Sequence, residues 1–495
     1  MASRQTEPRP PSMAGRATAA MLLTIGFYGL AIVIALALLS VPYFEWQWAH
    51  RVTGRLAIIC VAGAGIILWS IVPRPDRFVA PGPRLEAARN PRLFAEAAAV
   101  ATSVGEPMPK EVYLVPEVNA GVLARGGFLG QGSQRVMIIG LPLLDALTVW
   151  QFRAVLAHEF GHYHGGDVKL GPWIYRTRET IGRTIRNLSR RGLLQMPFLV
   201  YGRLFLRTTQ AISRQQEFAA DALAARTVGS APLINGLRRI HAAALAFSTY
   251  WREEFVPVVN AGFRVPFVSG FRQFTTNERV AGLLDTAVKE EESNPRLDPY
   301  DSHPPLGARI AAVELLPAGP PGGDESPALS LLGDPVDAER SLLDYMLKPG
   351  ALLRDVAWEN VGAEVIVPQM RKRTEPLLHL LGDATVAQLP DLAKTAPDLG
   401  RRIATAQDRK LPDGVDPATW GVGLLGDSLT LALASNGWTI ESPLGSSISA
   451  RRGTSVIQPY EAVQALSSAK ADPHGWMQQV EALGIGPIRL ASRSL

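Results

Sequence analysis

The chain has 495 residues, room for two or three domains, and its 50 lysines and arginines against 45 acidic residues give a formal net charge of +5. A single cysteine, Cys60, sits inside an apolar run, which excludes a disulfide framework and cysteine-based catalysis. The arginines gather beside uncharged hydrophobic runs and lack an interleaved aromatic motif, so they argue for a lipid surface and against a nucleic acid as partner.

Residues 1–16 form a basic tail with Arg4, Arg9 and Arg16. An uncharged run follows from Ala17 to Phe44, and a second extends from Leu56 to Val72. Crossing a bilayer takes ~20 apolar residues, with ~17 as the lower limit. Two transmembrane helices are therefore expected within residues 17–73. The rival reading is a cleaved signal peptide, with Ala35-Leu36-Ala37 as its small-residue site. The first run is longer than the ~7–15 residues of a signal core, and a second run follows at once, which favours a helical hairpin. Arg74, Arg77, Arg84, Arg89 and Arg92 come after the second run, whereas the connection carries Arg51 and Arg55. The positive-inside rule then puts both ends, and the domain that follows, on the cytoplasmic side of a plasma or inner membrane.

Residues 74–316 hold the chemistry. Val112–Val115, Gly121–Ala124 and Arg135–Ile139 read as short strands of a small antiparallel sheet, with a glycine-rich turn before the third. An exposed edge of that sheet is suited to pairing with an extended peptide. Next comes Thr148-Val149-Trp150-Gln151, with capping-box spacing, and a helix through Phe152, Val155 and Leu156 that Gly165-Gly166 would end. This helix carries His158-Glu159-Phe160-Gly161-His162. Residues four apart share a helix face, so both imidazoles can reach one zinc ion, and Glu159 lies beside the metal without having to bind it. A third ring, His164, points to another side.

Leu193–Leu206 is apolar, interrupted by Arg203, and preceded by Arg178, Arg183, Arg186, Arg190 and Arg191. It is too short to span a bilayer and reads either as an amphipathic segment on anionic lipid or as a buried core helix. Ser213 and Gln216 have capping-box spacing, so a new helix is expected to start there and run to Gly229. Arg214, Glu217 and Asp221 share one of its faces, and Ala219, Ala220 and Ala222 allow close approach of a neighbour. Alone, this is a charged stripe; beside the first helix, Glu217 becomes the best third ligand for a catalytic zinc site.

Three segments in order, AHEFGHYHGGD, SRQQEFAAD and DSHPPLGARI, resemble the signature of the HtpX-like and CAAX-prenyl-protease-like membrane zinc metallopeptidases, metallopeptidase family 48. The stretch VYLVPEVNAGVLARGG, with Asn119 and Ala120, is similar to the substrate strand before that family's active helix. The resemblance covers residues 80 to 316. It implies a mainly α fold with a small β-sheet, an α+β zincin-type metalloprotease domain. One Zn2+ ion would be held by His158, His162 and Glu217, with Glu159 as catalytic base. His303 would stabilise the tetrahedral intermediate, while Asp221, Arg309 and Arg214 would support the site and Asp167 would orient a ligand imidazole.

The function this implies is a membrane-anchored zinc endopeptidase acting on membrane or misfolded polypeptide substrates. The alternative is a zinc-stabilised membrane adaptor or chaperone-like protein with a latent protease site. Glu159 favours the enzyme, since a structural metal site needs no base. Prenyl-protein processing would need a many-helix chamber that two spans do not form. A Pro/Gly/Ser-rich linker is expected at 317–335, followed by a C-terminal α+β accessory domain, 336–495, that would recognise substrates, inhibit the protease or bind a protein partner. Its expected elements are helices near Ala338–Leu347, Leu377–Leu381 and Tyr460–Ser467, with a strand at Leu429–Leu433. His379 and His474 are isolated there and read as structural.

Overall fold

The computed structural model describes residues 13–72, 78–125, 134–164, 171–188, 192–319, 322–347, 352–409, 414–468 and 470–491. It is mainly helical with three small sheets. Two compact units divide it: Met1–Ala244 with Asp285–Leu347, and Leu245–Leu284 with Lys348–Leu495.

The first unit begins with α1 (Met13–Ala49) and α2 (Gly54–Ile71), both long and apolar enough to cross a membrane. Glu45 closes the turn between them by accepting the Thr53 amide at 3.0 Å. Only one face of each helix is covered. Phe27, Ala31 and Ala35 of α1 pack with Ala64, Ile67 and Ile71 of α2, while Met21, Leu22, Ile25, Ile58 and Ile59 are exposed. The same core takes Ile181 from α6 (Gly171–Asn187) and Phe198 and Phe205 from α7 (Met196–Val228). Leu193–Leu206 is thus neither wholly buried nor wholly outside: its Phe198 and Phe205 fill the core, and its Val200 and Leu204 remain exposed.

Helix α7 corrects one expectation. It runs unbroken for 33 residues from Met196, with Pro197 in its first turn, so no helix starts at Ser213. The Ser213 hydroxyl instead donates back to the Thr209 carbonyl at 3.3 Å. No proline interrupts residues 198–228, and the apolar stretch and the charged stripe are one rod.

The sheet has the order β1-β2-β4-β3, with β1 (Arg84–Leu85), β2 (Glu111–Val115), β3 (Ala120–Arg125) and β4 (Gln134–Gly140). It is mixed, not purely antiparallel: β2 and β4 pair in parallel. The reason lies in β4, whose Val136, Met137 and Ile139 are buried on both faces, so it takes a central place and leaves β3 at the edge. Amphipathic α3 (Pro91–Val104) packs mainly against α5 (Val149–His164), which follows α4 (Leu141–Ala146). The expected capping box starts α5: Thr148 N–H donates to Gln151 Oε1 at 3.1 Å, and Gln151 N–H to Thr148 Oγ1 at 3.3 Å. The glycines expected to end α5 lie outside the described residues.

From residue 322 on, the supposed linker is structured. Its Asp324 and Ser326 carbonyls accept the Trp150 and Val149 amides at 2.9 and 2.8 Å, taking orphan donors at the start of α5. Ala328 and Leu331 are buried. The boundary expected at 336 also moves. Pro335–Met346 stays with the first unit, where Asp337 pairs with Arg89 at 3.6 Å and the Tyr345 hydroxyl reaches the Ala80 carbonyl.

Conversely, Leu245–Leu284 belongs to the second unit because Tyr250, fully buried, packs against Phe255, Phe267, Phe271, Phe274 and Trp358. In that unit Leu429–Leu433 lies within a helix, Pro417–Ser435, and is not a strand. Asp416 caps this helix, and its Leu424, Leu425, Leu429 and Leu433 are buried, so period-two alternation was never the relevant signal. Three short antiparallel strands, Thr439–Glu441, Ser449–Arg452 and Ser455–Ile457, precede the helix Pro459–Ser467. Among the described residues, the His379 and His474 rings make local contacts, to the Pro376 carbonyl at 2.9 Å and to Gln478 at 3.1 Å.

Candidate metal centre

Helices α5 and α7 lie against each other, and small residues set how close they come. A side chain on Gly161 would begin 3.2 Å from the Ala220 Cα and 3.4 Å from its Cβ. Glycine at one position and alanine at the other let the two backbones approach until His158 and His162 face Glu217 across the gap. The clustering of alanines in α7 foretold this contact; the role of Gly161 did not stand out in the sequence.

The three side chains offer their donor atoms to one point. His158 Nε2 and His162 Nε2 are 3.2 Å apart, and Glu217 reaches them with Oε2 and Oε1, each at 3.5 Å. Bonds of ~2.0–2.1 Å at tetrahedral angles require ligand atoms roughly 3.3–3.4 Å apart, so this donor set fits one zinc-sized ion. The rings stand nearly perpendicular, at 86°, which prevents stacking and aims both nitrogens inward. Glu217 is buried, and its Oε2 completes no well-aligned hydrogen bond, although His303 Nδ1 and Arg309 Nη1 come within 3.1 and 3.5 Å. A buried carboxylate of this kind needs positive charge around it, which these neighbours supply in part and a metal ion would complete.

Surrounding groups hold the ligands. Asp221, one turn beyond Glu217, is 1% exposed and places Oδ1 2.9 Å from His158 Nδ1. This leaves Nε2 of that ring for a metal. Asp221 in turn accepts two hydrogen bonds from Arg309, Nε to Oδ2 at 2.8 Å and Nη2 to Oδ1 at 2.7 Å. Arg309 lies on the helix Leu306–Glu314, and its Nη1 also comes within 3.5 Å of Glu217. His303, in the exposed turn before that helix, sets Nδ1 3.1 Å from Glu217 Oε2. The turn is fastened to α7: Arg214 donates to the Asp301 carbonyl at 2.7 Å, and Gln210 to that of Tyr300 at 3.1 Å.

The electrostatics follow from burial and neighbours. Burial pushes the Glu159 carboxyl up, to about 7, despite the His158 charge beside it. His162 is driven down to about 4 by burial and by His158, which keeps its imidazole neutral. For His158, burial acts downward, but Asp221 and Glu217 outweigh it and raise the ring to about 9. Burial would raise Glu217, yet the His158 and His303 imidazoles and the Arg309 guanidinium hold it far below the usual carboxylate range. Glu217 in turn raises His303 above the ordinary imidazole value.

The sequence-expected residues divide clearly. His158, Glu159, His162, Glu217, Asp221, His303, Arg309 and Arg214 are brought together. Asn119 and Ala120 lie at the start of the edge strand: Asn119 O accepts the Gly140 amide at 2.7 Å, and Ala120 pairs with Ile139. Asp167 lies outside the described residues. One clamp was missed. The Tyr163 hydroxyl donates to the Val122 carbonyl, and Arg135 lies over the Tyr163 ring at 4.4 Å, fixing β3 beside the C-terminal turn of α5. Tyr163 directly follows His162, and no spacing rule links it to a strand 41 residues earlier.

Two imidazoles and a carboxylate converge at tetrahedral spacing between two helices, with a second carboxylate beside them, a set that could hold one metal ion. Residues 87–316 match the model of peptidase family M48. Over this segment the chain is similar to HtpX proteases. It is 30% identical over 166 residues to a Protease HtpX of Idiomarina loihiensis, covering 30% of this chain and 56% of the relative. A Protease HtpX homolog of Neisseria meningitidis is 32% identical over 145 residues, 26% of this chain and 50% of the relative. Another from Aeropyrum pernix is 29% identical over 249 residues, 43% of this chain and 77% of the relative. The chain thus spans about half the length of the first two of these relatives. No solved structure matches it.

Proposed function

We propose that the chain is a membrane-anchored, zinc-dependent endopeptidase that hydrolyses peptide bonds of membrane or misfolded proteins. The observation that carries this reading is the convergence of His158, His162 and Glu217 within 4.8 Å of one another, with Glu159 on the same helix. The first two residues and Glu217 would hold the ion. When bound, zinc supplies Lewis acidity and lowers the pKa of a water molecule toward ~7.

The chain's own groups do the rest. The Glu159 carboxylate takes a proton from the attacking water and passes it to the leaving amine, a task suited to a group titrating near the working pH. Protonated His303 donates toward the oxyanion of the substrate; a preorganised donor of this kind is worth about 3–4 kcal/mol. Asp221 keeps His158 in the tautomer that presents Nε2. The edge of β3, beginning at Asn119 and Ala120, receives an extended substrate as an added strand.

The apolar surfaces of α1 and α2 support an anchor in the bilayer, and the arginine distribution supports a cytoplasmic catalytic unit. The second unit would serve as an accessory domain for substrates or a protein partner. The test is cleavage of casein or a membrane substrate by wild type and Glu159→Gln. Zinc is expected in both proteins and cleavage only in the wild type. Equal cleavage by both would remove Glu159 as base, and no cleavage by either zinc-loaded protein would favour an adaptor.

A further inference from the structure

Helix α7 leaves the core of α1 and α2 in a definite order. A side chain on Gly63, midway along α2, would begin 3.3 Å from Leu194 and 3.4 Å from Leu38. Two turns later the Tyr201 hydroxyl donates to the Leu23 carbonyl at 2.6 Å, near the start of the apolar run of α1. The exposed residues of α7 change character at this level. Val200 and Leu204 are 60% and 52% exposed, and Arg203 and Arg207 are exposed beside them.

These four residues, with Thr208 and Tyr300, line a groove of about 540 Å³. Arg203 and Arg207 are four apart on one helix face, where two like charges repel unless an anion lies between them. Among the described residues neither forms an ion pair. The carboxylates flanking Tyr300 are turned to their own backbone: Asp298 accepts the Tyr300 amide at 2.8 Å, and Asp301 accepts the His303 amide at 2.9 Å. The Tyr300 wall is fixed, since Gln210 holds its carbonyl.

We propose that this groove binds the phosphate headgroup of an anionic phospholipid, with Arg203 and Arg207 on the phosphate and Val200 and Leu204 along the upper acyl chain. The guanidinium fork suits phosphate oxygens, and an apolar strip running toward the α1 and α2 core suits an acyl chain better than a free anion. Because Tyr300 belongs to the turn that carries His303, the headgroup would seat that turn beside the bilayer. Arg207 precedes Glu217 by ten residues, about 15 Å of helix, so the lipid would not touch the metal centre.

The assignment rests on α1 and α2 lying in a bilayer, and the test separates that premise from the proposal. Resistance of the full-length protein to alkaline extraction from membranes checks the premise alone. Native mass spectrometry of detergent-purified protein then reads retention of phosphatidylglycerol against phosphatidylcholine. Wild type is expected to prefer the anionic lipid about tenfold or more. Arg203→Gln/Arg207→Gln should abolish the preference, and Arg226→Gln, at the far end of the same helix, should keep it. Excess inorganic phosphate should leave the lipid in place. An unchanged preference in the double variant, or displacement by inorganic phosphate alone, would overturn the proposal.

Discussion

Arg309 grips Asp221 through both carboxylate oxygens, at 2.7 and 2.8 Å, and Asp221 stands 2.9 Å from the ring nitrogen of His158 that faces away from the site. A helix at the end of the matched segment thereby supports the ring of a candidate ligand on α5. Asp221→Asn should weaken zinc binding by about 10- to 100-fold, the usual cost of removing such a support. Competition with a fluorescent chelator measures it. Unchanged affinity would show that packing alone orients His158.

The same pair predicts a pH dependence. Although burial favours its neutral form, the Arg309 and His158 contacts hold the Asp221 carboxyl below its ordinary value. A carboxyl lowered by folding adds stability above its unfolded pKa and loses it as pH falls through the folded one. In metal-free protein the Tm advantage of wild type over Asp221→Asn should therefore be full at neutral pH and shrink below about pH 4. Breaking a buried pair of this kind costs about 3–5 kcal/mol, so the neutral-pH gap should be easily read.

Gly161 governs the spacing of α5 and α7. Gly161→Val would push its side chain onto Ala220, already 3.2 Å from where a Cβ would start. Overpacking of this sort costs about 1–3 kcal/mol, and here it also moves Glu217 away from the histidine pair. Zinc content after dialysis should fall well below that of wild type, while far-UV circular dichroism remains helical. Full retention of zinc would mean that the helices separate elsewhere.

Arg214 holds the His303 turn by its backbone, through the Asp301 carbonyl. Arg214→Ala should leave zinc stoichiometry intact and lower kcat by roughly 10- to 100-fold, as expected when a catalytic group is displaced by about an ångström. Steady-state kinetics on a fluorogenic peptide, paired with metal analysis, separates this outcome from loss of the ion.

The candidate metal centre was legible because its spacing rules are local. His158 and His162 share a face by helix geometry, the Thr148–Gln151 box marks where that helix starts, and the alanines around Glu217 announce a close neighbour. What escaped depends on distant partners. The serine at 213 looks like a cap only if Pro197 and the apolar rod before it are set aside. β4 takes the centre of the sheet because both of its faces are buried, a fact that alternation along one strand does not reveal. Residues 317–335 have linker composition, yet the Asp324 and Ser326 carbonyls satisfy the first amides of α5. Leu245–Leu284 joins the second unit through the rings around Tyr250, which no composition shift marks.

Metal analysis of the purified full-length protein tests the central claim most directly. One zinc per chain is expected in the wild type and in Glu159→Gln, with zinc lost from His158→Ala, His162→Ala and Glu217→Ala. Stoichiometric zinc persisting in Glu217→Ala, or none in the wild type, would contradict a site built from these three side chains.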